Sequence, residues 1–306
     1  MKNLLITSIF IIVVGLSGCV KIDINTGKNL DHLKFSVESP VPEGSKITYD
    51  TVIVFDIKKP KEKFSLEVSN ISGDIKILKS DGNNVRAILK YRDDAKKYYK
   101  VYEYSSPSKA KIIIKTKEKW LDLKKDKGEI DITLFVPDNL GDISISSVNG
   151  DIITLDPLKG AEINLSTVNG DIKGNVNAHF STLSSVNGSI KVIISADSVN
   201  VDNVNGSIKV TLKNFDEVDI NEVNGSVSVS LLADIGIKGE ANTVNGSIHY
   251  SELEELPNFT VLEKNTRSLW HLNGGSLKFR IGSGKSYLHI STVNGSISFH
   301  IRGRMI

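Results

Sequence analysis

Val148-Asn149-Gly150-Asp151-Ile152 is followed twenty residues later by Val168-Asn169-Gly170-Asp171-Ile172. The word returns at 186–190, 204–208, 223–227, 244–248 and 293–297, with Ser in place of Asp. Its asparagines are Asn149, Asn169, Asn187, Asn205, Asn224, Asn245 and Asn294, so the steps are 20, 18, 18, 19, 21 and 49. A repeat near 20 residues signals stacked supersecondary units. The long last step contains a degenerate copy, Leu272-Asn273-Gly274-Gly275-Ser276-Leu277. An early degenerate copy is Ile71-Ser72-Gly73-Asp74-Ile75.

The flanks define each unit. Four residues before the asparagines stand Ile145, Leu165, Leu183, Val201, Ile220, Ala241 and Ile290. Two further back, Ile143, Ile163, Val199, Val218 and Leu288 keep the alternation. After the turn, Ile190 and Val192, Ile208 and Val210, and Val227 and Val229 alternate again. Period 2 on both sides of a turn means two short strands per unit. Asn and Gly tolerate positive φ, which suits them to a corner. The apolar step from −4 to the Val at −1 is odd, which breaks the alternation and predicts a bend there. Helical patterning is nearly absent, with 93–102 the one weak candidate.

Two all-β folds fit. Asn-Gly between apolar alternations is a strong hairpin signal, so a meander of antiparallel hairpins is open. The favoured fold is a single-chain β-solenoid of about 20-residue coils, because identical residues recur as a coil-on-coil ladder would require. At about 4.8 Å per coil, eight or nine coils would span roughly 40 Å.

These repeated words resemble the prokaryotic putative-adhesin proteins with β-strand repeats. Ile130-Asp131-Ile132-Thr133-Leu134-Phe135-Val136-Pro137 is similar to that family's entry into the repeats, and Phe279-Arg280-Ile281-Gly282-Ser283-Gly284 to its approach to the last one. The resemblance covers roughly 48–306 and implies a β-solenoid and a cell-surface role. The 77 residues between Gly73 and Gly150 depart from the pattern. The body is therefore read as one domain, 48–306, with degenerate coils to about 140 and regular coils over 141–306.

The N-terminus carries an address. Lys2 is a short positive start, and residues 4–15 are largely apolar but too short for a comfortable membrane span. Leu16-Ser17-Gly18-Cys19 follows and resembles the lipobox of bacterial and archaeal lipoproteins. That resemblance implies a signal peptide over 1–18, lipidation at Cys19, and anchoring to the extracytoplasmic face of the cell membrane. Residues 19–47, polar and without sustained periodicity, read as the lipidated N-terminus and tether.

Composition narrows the chemistry. The 306 residues hold 38 Lys plus Arg against 36 Asp plus Glu, so the net charge of +2 gives no ground for a nucleic-acid partner. Lysines cluster over 109–127, but Glu118, Asp122 and Asp126 interrupt them as on a solvated face. Cys19 is the sole cysteine, which excludes an intrachain disulfide and a thiolate cluster. His32, His179, His249, His271, His289 and His300 form no i, i+4 pair or His-Glu metal motif. No nucleophile elbow or phosphate loop is present. No catalytic residue, cofactor or metal is expected. A Ca²⁺ between Asp151 and Asp171 is the one metal arrangement considered, since two carboxylates one coil apart repel. Trp120 and Trp270 are candidate sugar platforms. Asn70, Asn164, Asn187, Asn205, Asn224, Asn245, Asn258 and Asn294 open glycosylation sequons, five of which simply spell the turn word.

The reading is a non-enzymatic, lipid-anchored surface protein, structural or adhesive, with a surface glycan or a protein as candidate partner. Alternatives are a polysaccharide-acting or polysaccharide-binding β-helix protein and an envelope sensor or assembly partner. The turn asparagines are expected to stack as a structural ladder, with Asn294 near its end.

Overall fold

The computed structural model describes residues 21–23, 34–36, 41–56, 64–117, 128–138, 140–232, 236–269 and 272–303; at 21–23, 34–36, 266–269 and 272–273 the backbone alone is described. The chain is all-β, with one long open sheet of 22 strands that does not close into a barrel. Cys19, Trp120, Trp270, His32 and His271 lie outside the described residues or their side chains do.

Each repeat is a flattened coil with two walls. A strand such as Leu140–Asn149 forms the first wall and ends in the Asn-Gly corner. The next strand, such as Ile152–Thr154, forms the second. Successive strands of a wall pair in parallel, Asn149 with Asn169, Asn169 with Asn187, Asn187 with Asn205. This parallel register excludes the hairpin meander, in which each word would tip an antiparallel pair. Ile143, Ile145, Ile163, Leu165, Val199 and Val201 face Ile152, Ile172, Ile190 and Ile208 across a thin apolar core, all buried.

The bend lies elsewhere than the apolar spacing suggested. Alternation runs on to position −2, which is buried and polar: Ser147, Thr167, Ser185, Asn203, Glu222, Thr243 and Thr292. The Val at −1 is half-exposed in the later coils and 52% exposed at Val244. The corners also owe little to positive φ at asparagine, because among the described residues Asp93 is the one non-glycine with positive φ. Glycine is needed for another reason. A Cβ at Gly170 would collide with the carbonyl oxygen of Gly150, and one at Gly188 with that of Gly170, so the corners stack backbone on backbone.

The ends differ from the middle. Within 48–140, the strands Ser65–Ser72 and Ile75–Lys79 make a coil around the early degenerate word. Strand Lys109–Thr116 continues the first wall in parallel with Ser65–Ser72, while Val52–Asp56, Asn84–Tyr91 and Tyr99–Ser106 extend the two walls with antiparallel pairs. The weak helical candidate shrinks to one turn, Ala95–Tyr98.

Coil order departs from chain order at the far end. The last strands, Ser286–Asn294 and Ile297–Arg302, sit between the coil of Glu217–Asn224 with Val227–Leu232 and the coil of Ile237–Asn245 with Ile248–His249. Asn294 is therefore an interior member of the stack and Asn245 its last. The degenerate word at 272–277 is no corner. It lies in strand Leu272–Ile281, which pairs antiparallel with Ile237–Asn245 and with Phe259–Leu269. Phe279 fills the space left by Gly239, where a Cβ would strike its ring. Tyr250, Phe259, Phe279 and Phe299 stack at centroid distances of 6.0, 5.9 and 5.2 Å and close the core at this end.

Candidate functional site

Three polar columns run along the corner edge. The outermost is the asparagine ladder. Each Nδ2 donates to the Oδ1 of its neighbour: Asn169 to Asn149 at 2.7 Å, Asn187 to Asn169 at 2.8 Å, Asn205 to Asn187 at 2.9 Å and Asn224 to Asn205 at 2.9 Å. Asn294 to Asn224 and Asn245 to Asn294, each 2.8 Å, complete it. A planar amide with a donor on one side and an acceptor on the other matches the coil spacing, which is why Asn recurs. A sugar on any of these Nδ2 atoms would displace a ladder bond, and Asn70 is buried with its Nδ2 held by the carbonyls of Gly73 and Ile130.

The second column follows the glycine. The Asp74 carboxylate accepts the Asp151 N–H at 3.0 Å, Asp151 that of Asp171 at 2.8 Å, and Asp171 that of Ser189 at 2.7 Å. The repulsion expected between Asp151 and Asp171 is neutralised within the protein. Lys173 Nζ lies 3.1 Å from Asp151 Oδ2 and 2.8 Å from Asp171 Oδ2, in the place where a Ca²⁺ was considered. Burial pushes the Asp171 carboxyl up, but Lys173 and the Ser189 N–H outweigh it and leave it below the ordinary carboxylate value. Among the described residues no group of three His, Cys, Asp or Glu is placed to hold a metal ion.

The third column is the buried one at −2. Thr167, Ser185 and Thr243 donate to the carbonyls of Gly150, Gly170 and Gly295 at 3.1, 3.0 and 2.9 Å, and Thr292 to Gly225 at 3.3 Å. Asn203 and Glu222 break the pattern in adjacent coils, at 0% and 2% exposure. Asn203 Nδ2 donates to Glu222 Oε2 at 2.8 Å, while Glu222 Oε1 and Asn203 Oδ1 have no partner. Burial pushes the Glu222 carboxyl up to about 7, against the pull of the Asn203 amide and of nearby backbone N–H groups. This column has a signal in the sequence, Ser or Thr at −2 in five of the seven words, which the apolar alternation alone does not reveal.

The outer face of the first wall is flat and polar. Asn200 and Asn221 donate to the two oxygens of Asp202 at 3.0 Å each, and Ser291 donates to Asn221 Oδ1 at 2.8 Å. Burial raises the Asp202 carboxyl despite these two amides. Side chains tied to one another in this way are held in fixed rotamers before anything binds. Two aromatics stand out of the face at one register: Phe180, 59% exposed, and Tyr287, 37% exposed, three coils apart through Ser198 and Glu217. Three steps of about 4.8 Å separate them by roughly 14 Å. Beside that row runs an open polar groove of about 540 Å³ lined by His179, Asp197, Lys213, Asp216, Lys285 and Ser286, among others. His179 Nδ1 lies 2.8 Å from Asp197 Oδ2 on the surface.

Comparison with solved structures finds distant likenesses. A putative cell adhesion protein from Clostridium sporogenes is 14% identical, with 84% of this chain and all of that one covered and a TM-score of 0.39. A putative adhesin from Bacteroides fragilis is 15% identical over 83% of this chain and 97% of that one, at a TM-score of 0.41. A third, from Parabacteroides merdae, is 10% identical over 84% and 95%, at 0.30. No family model and no curated protein matches the chain. At these identities and TM-scores the likeness contributes nothing on residues or ligands, and the site stands on its own geometry.

Proposed function

We propose that this protein is a non-enzymatic adhesive or interaction module, held by a lipid at Cys19 on the extracytoplasmic face of the cell membrane. The observation that carries the reading is the outer first wall. A rigid, pre-bonded polar sheet with Phe180 and Tyr287 projecting from it is built to lie against a partner, not to enclose a reacting molecule. Among the described residues, the buried amides and carboxylates are tied into the columns, and the ionisable groups that do gather, such as His179 with Asp197, sit in an open, solvated groove. A surface glycan is the favoured partner, because exposed aromatic faces beside fixed amides and carboxylates complement sugar rings and their hydroxyls. What supports the anchor is the lipobox-like Leu16–Cys19, followed by a polar stretch to residue 47 that would serve as a tether.

Two experiments test this. Wild type is expected to enter the detergent phase and Cys19→Ser to stay in the aqueous phase; equal partition with an uncleaved N-terminus refutes the anchor. On a glycan array and in whole-cell pull-down, the Phe180→Ala/Tyr287→Ala double variant should lose most binding while melting like wild type. Retained binding would refute the wall as the contact face, and recovery of a single envelope protein with no glycan would favour an assembly role.

A further inference from the structure

Asn-Gly is the dipeptide in which a side-chain amide is most readily lost. The glycine nitrogen attacks Cγ of the asparagine, a new C–N bond closes a five-membered succinimide, and the Cγ–Nδ2 bond breaks as ammonia leaves. Water then opens either carbonyl of the ring, giving aspartate or isoaspartate. The reaction needs a glycine N–H that can lose its proton and a carboxamide free to swing onto that nitrogen.

At five corners the stack denies both, and at a sixth, Asn149-Gly150, it denies the first. The N–H of Gly150, Gly170, Gly188, Gly206, Gly225 and Gly295 donates to the asparagine carbonyl of the next coil at 2.8–3.2 Å. The carboxamides of Asn169, Asn187, Asn205, Asn224 and Asn294 are tied on both sides, donating to one neighbour and accepting from the other. Reaction there requires the coils to part, at the free energy of local opening.

Asn245-Gly246 differs in two respects, because it is the last corner. Its Nδ2 still donates to Asn294, but its Oδ1, although buried, has no partner. Among the described residues the Gly246 N–H has no acceptor. The preceding Val244, whose counterparts are buried or half-buried, stands 52% exposed beside a groove lined by Asn242, Asn265 and Ser276. We propose that Asn245 is a built-in modification site, converting through a succinimide to aspartate and isoaspartate while the other stacked corners are protected by the fold.

Conversion would act on the end of the stack. The new carboxylate cannot donate to Asn294 Oδ1, and isoaspartate lengthens the main chain at the corner that sets the pairing of Ile248 with Ile297. The last coil would then loosen from its neighbour.

The test is peptide mapping of the full-length protein after incubation in mildly alkaline buffer, folded and in urea. In the folded protein Asn245 should convert at least about tenfold faster than any of the six protected corners. In urea all seven should convert at similar rates, which shows that the fold and not local sequence sets the difference. Asn245→Gln should remove the fast phase from the folded protein and leave the melting curve close to wild type. Another stacked corner converting as fast as Asn245 in the folded state overturns the proposal. So does an Asn245 that survives intact while the unfolded chain is consumed.

Discussion

Glu222 offers the sharpest test of the buried column. In the coils on either side of the Asn203–Glu222 pair, the side chain at −2 donates a hydrogen bond to a corner glycine carbonyl. A carboxylate cannot donate, whereas a carboxylic acid can. Glu222 Oε1 has no partner, and it crowds the same side of Gly225 as the Gly206 carbonyl oxygen, the acceptor that the pattern assigns to it. Burial holds the proton on this carboxyl in the folded protein up to about 7, against an ordinary value of 4.5. Between those two values the folded chain binds more protons than the unfolded one, so stability is fullest below about pH 4.5 and is lost as pH rises through about 7. The difference of about 2.5 units is worth about 3 kcal/mol. Glu222→Gln keeps a donor for the Gly206 carbonyl and removes the titration. Urea unfolding of both proteins from about pH 5 to about pH 8 should show wild type losing about 3 kcal/mol relative to the variant. Subtracting the variant cancels Asp202, whose raised carboxyl acts in the same direction. A wild-type-minus-variant difference that stays constant across this range would refute the reasoning.

Three further outcomes are expected. Asn294→Ala should destabilise by roughly 1–3 kcal/mol and Asn245→Ala by less, because Asn294 has ladder partners on both sides; equal losses in urea melts would count against the ladder. Gly239→Ala should cost more than about 2 kcal/mol through its collision with the buried Phe279 ring, and Phe279→Leu in the same chain should recover part of it. Lys173→Met should make stability fall at a higher pH on acidification than in wild type, because Asp171 loses the cation that holds its carboxyl low; with Lys173 more than a third exposed, the effect stays below about 1 kcal/mol and shrinks in high salt.

The sequence announced the coil but not its place in the stack. Corner positions, two strands per repeat, the apolar columns and the asparagine ladder follow from period 2 and a repeat near 20, because each is a property of one coil and its copy. Which coil neighbours which is a different kind of information. Asn224, Asn245 and Asn294 carry the same word, so pattern alone cannot say that Asn294 lies between the other two. The word at 272–277 misled because its apolar residues suit a strand in either direction. Its pairing with residues 237–245 is decided by the aromatic cap around Phe279. Glu222 escaped notice because a charged residue in a strand reads as solvent-facing until its register is known.

The interior position of the C-terminal coil has a consequence for how the molecule is made. Residues 286–302 are made after the coil at 237–249, yet they fill the gap between it and the coil at 217–232. Until they arrive, the coil at 217–232 shows a bare parallel edge and the coil at 237–249 has no neighbour to pair with on that side. The nascent protein thus passes through a state with an open slot of defined register, shaped to receive one particular pair of strands. The tail of a second molecule has the same shape as the chain's own. At high local concentration, closing the slot from within competes with exchange of these strands between neighbours.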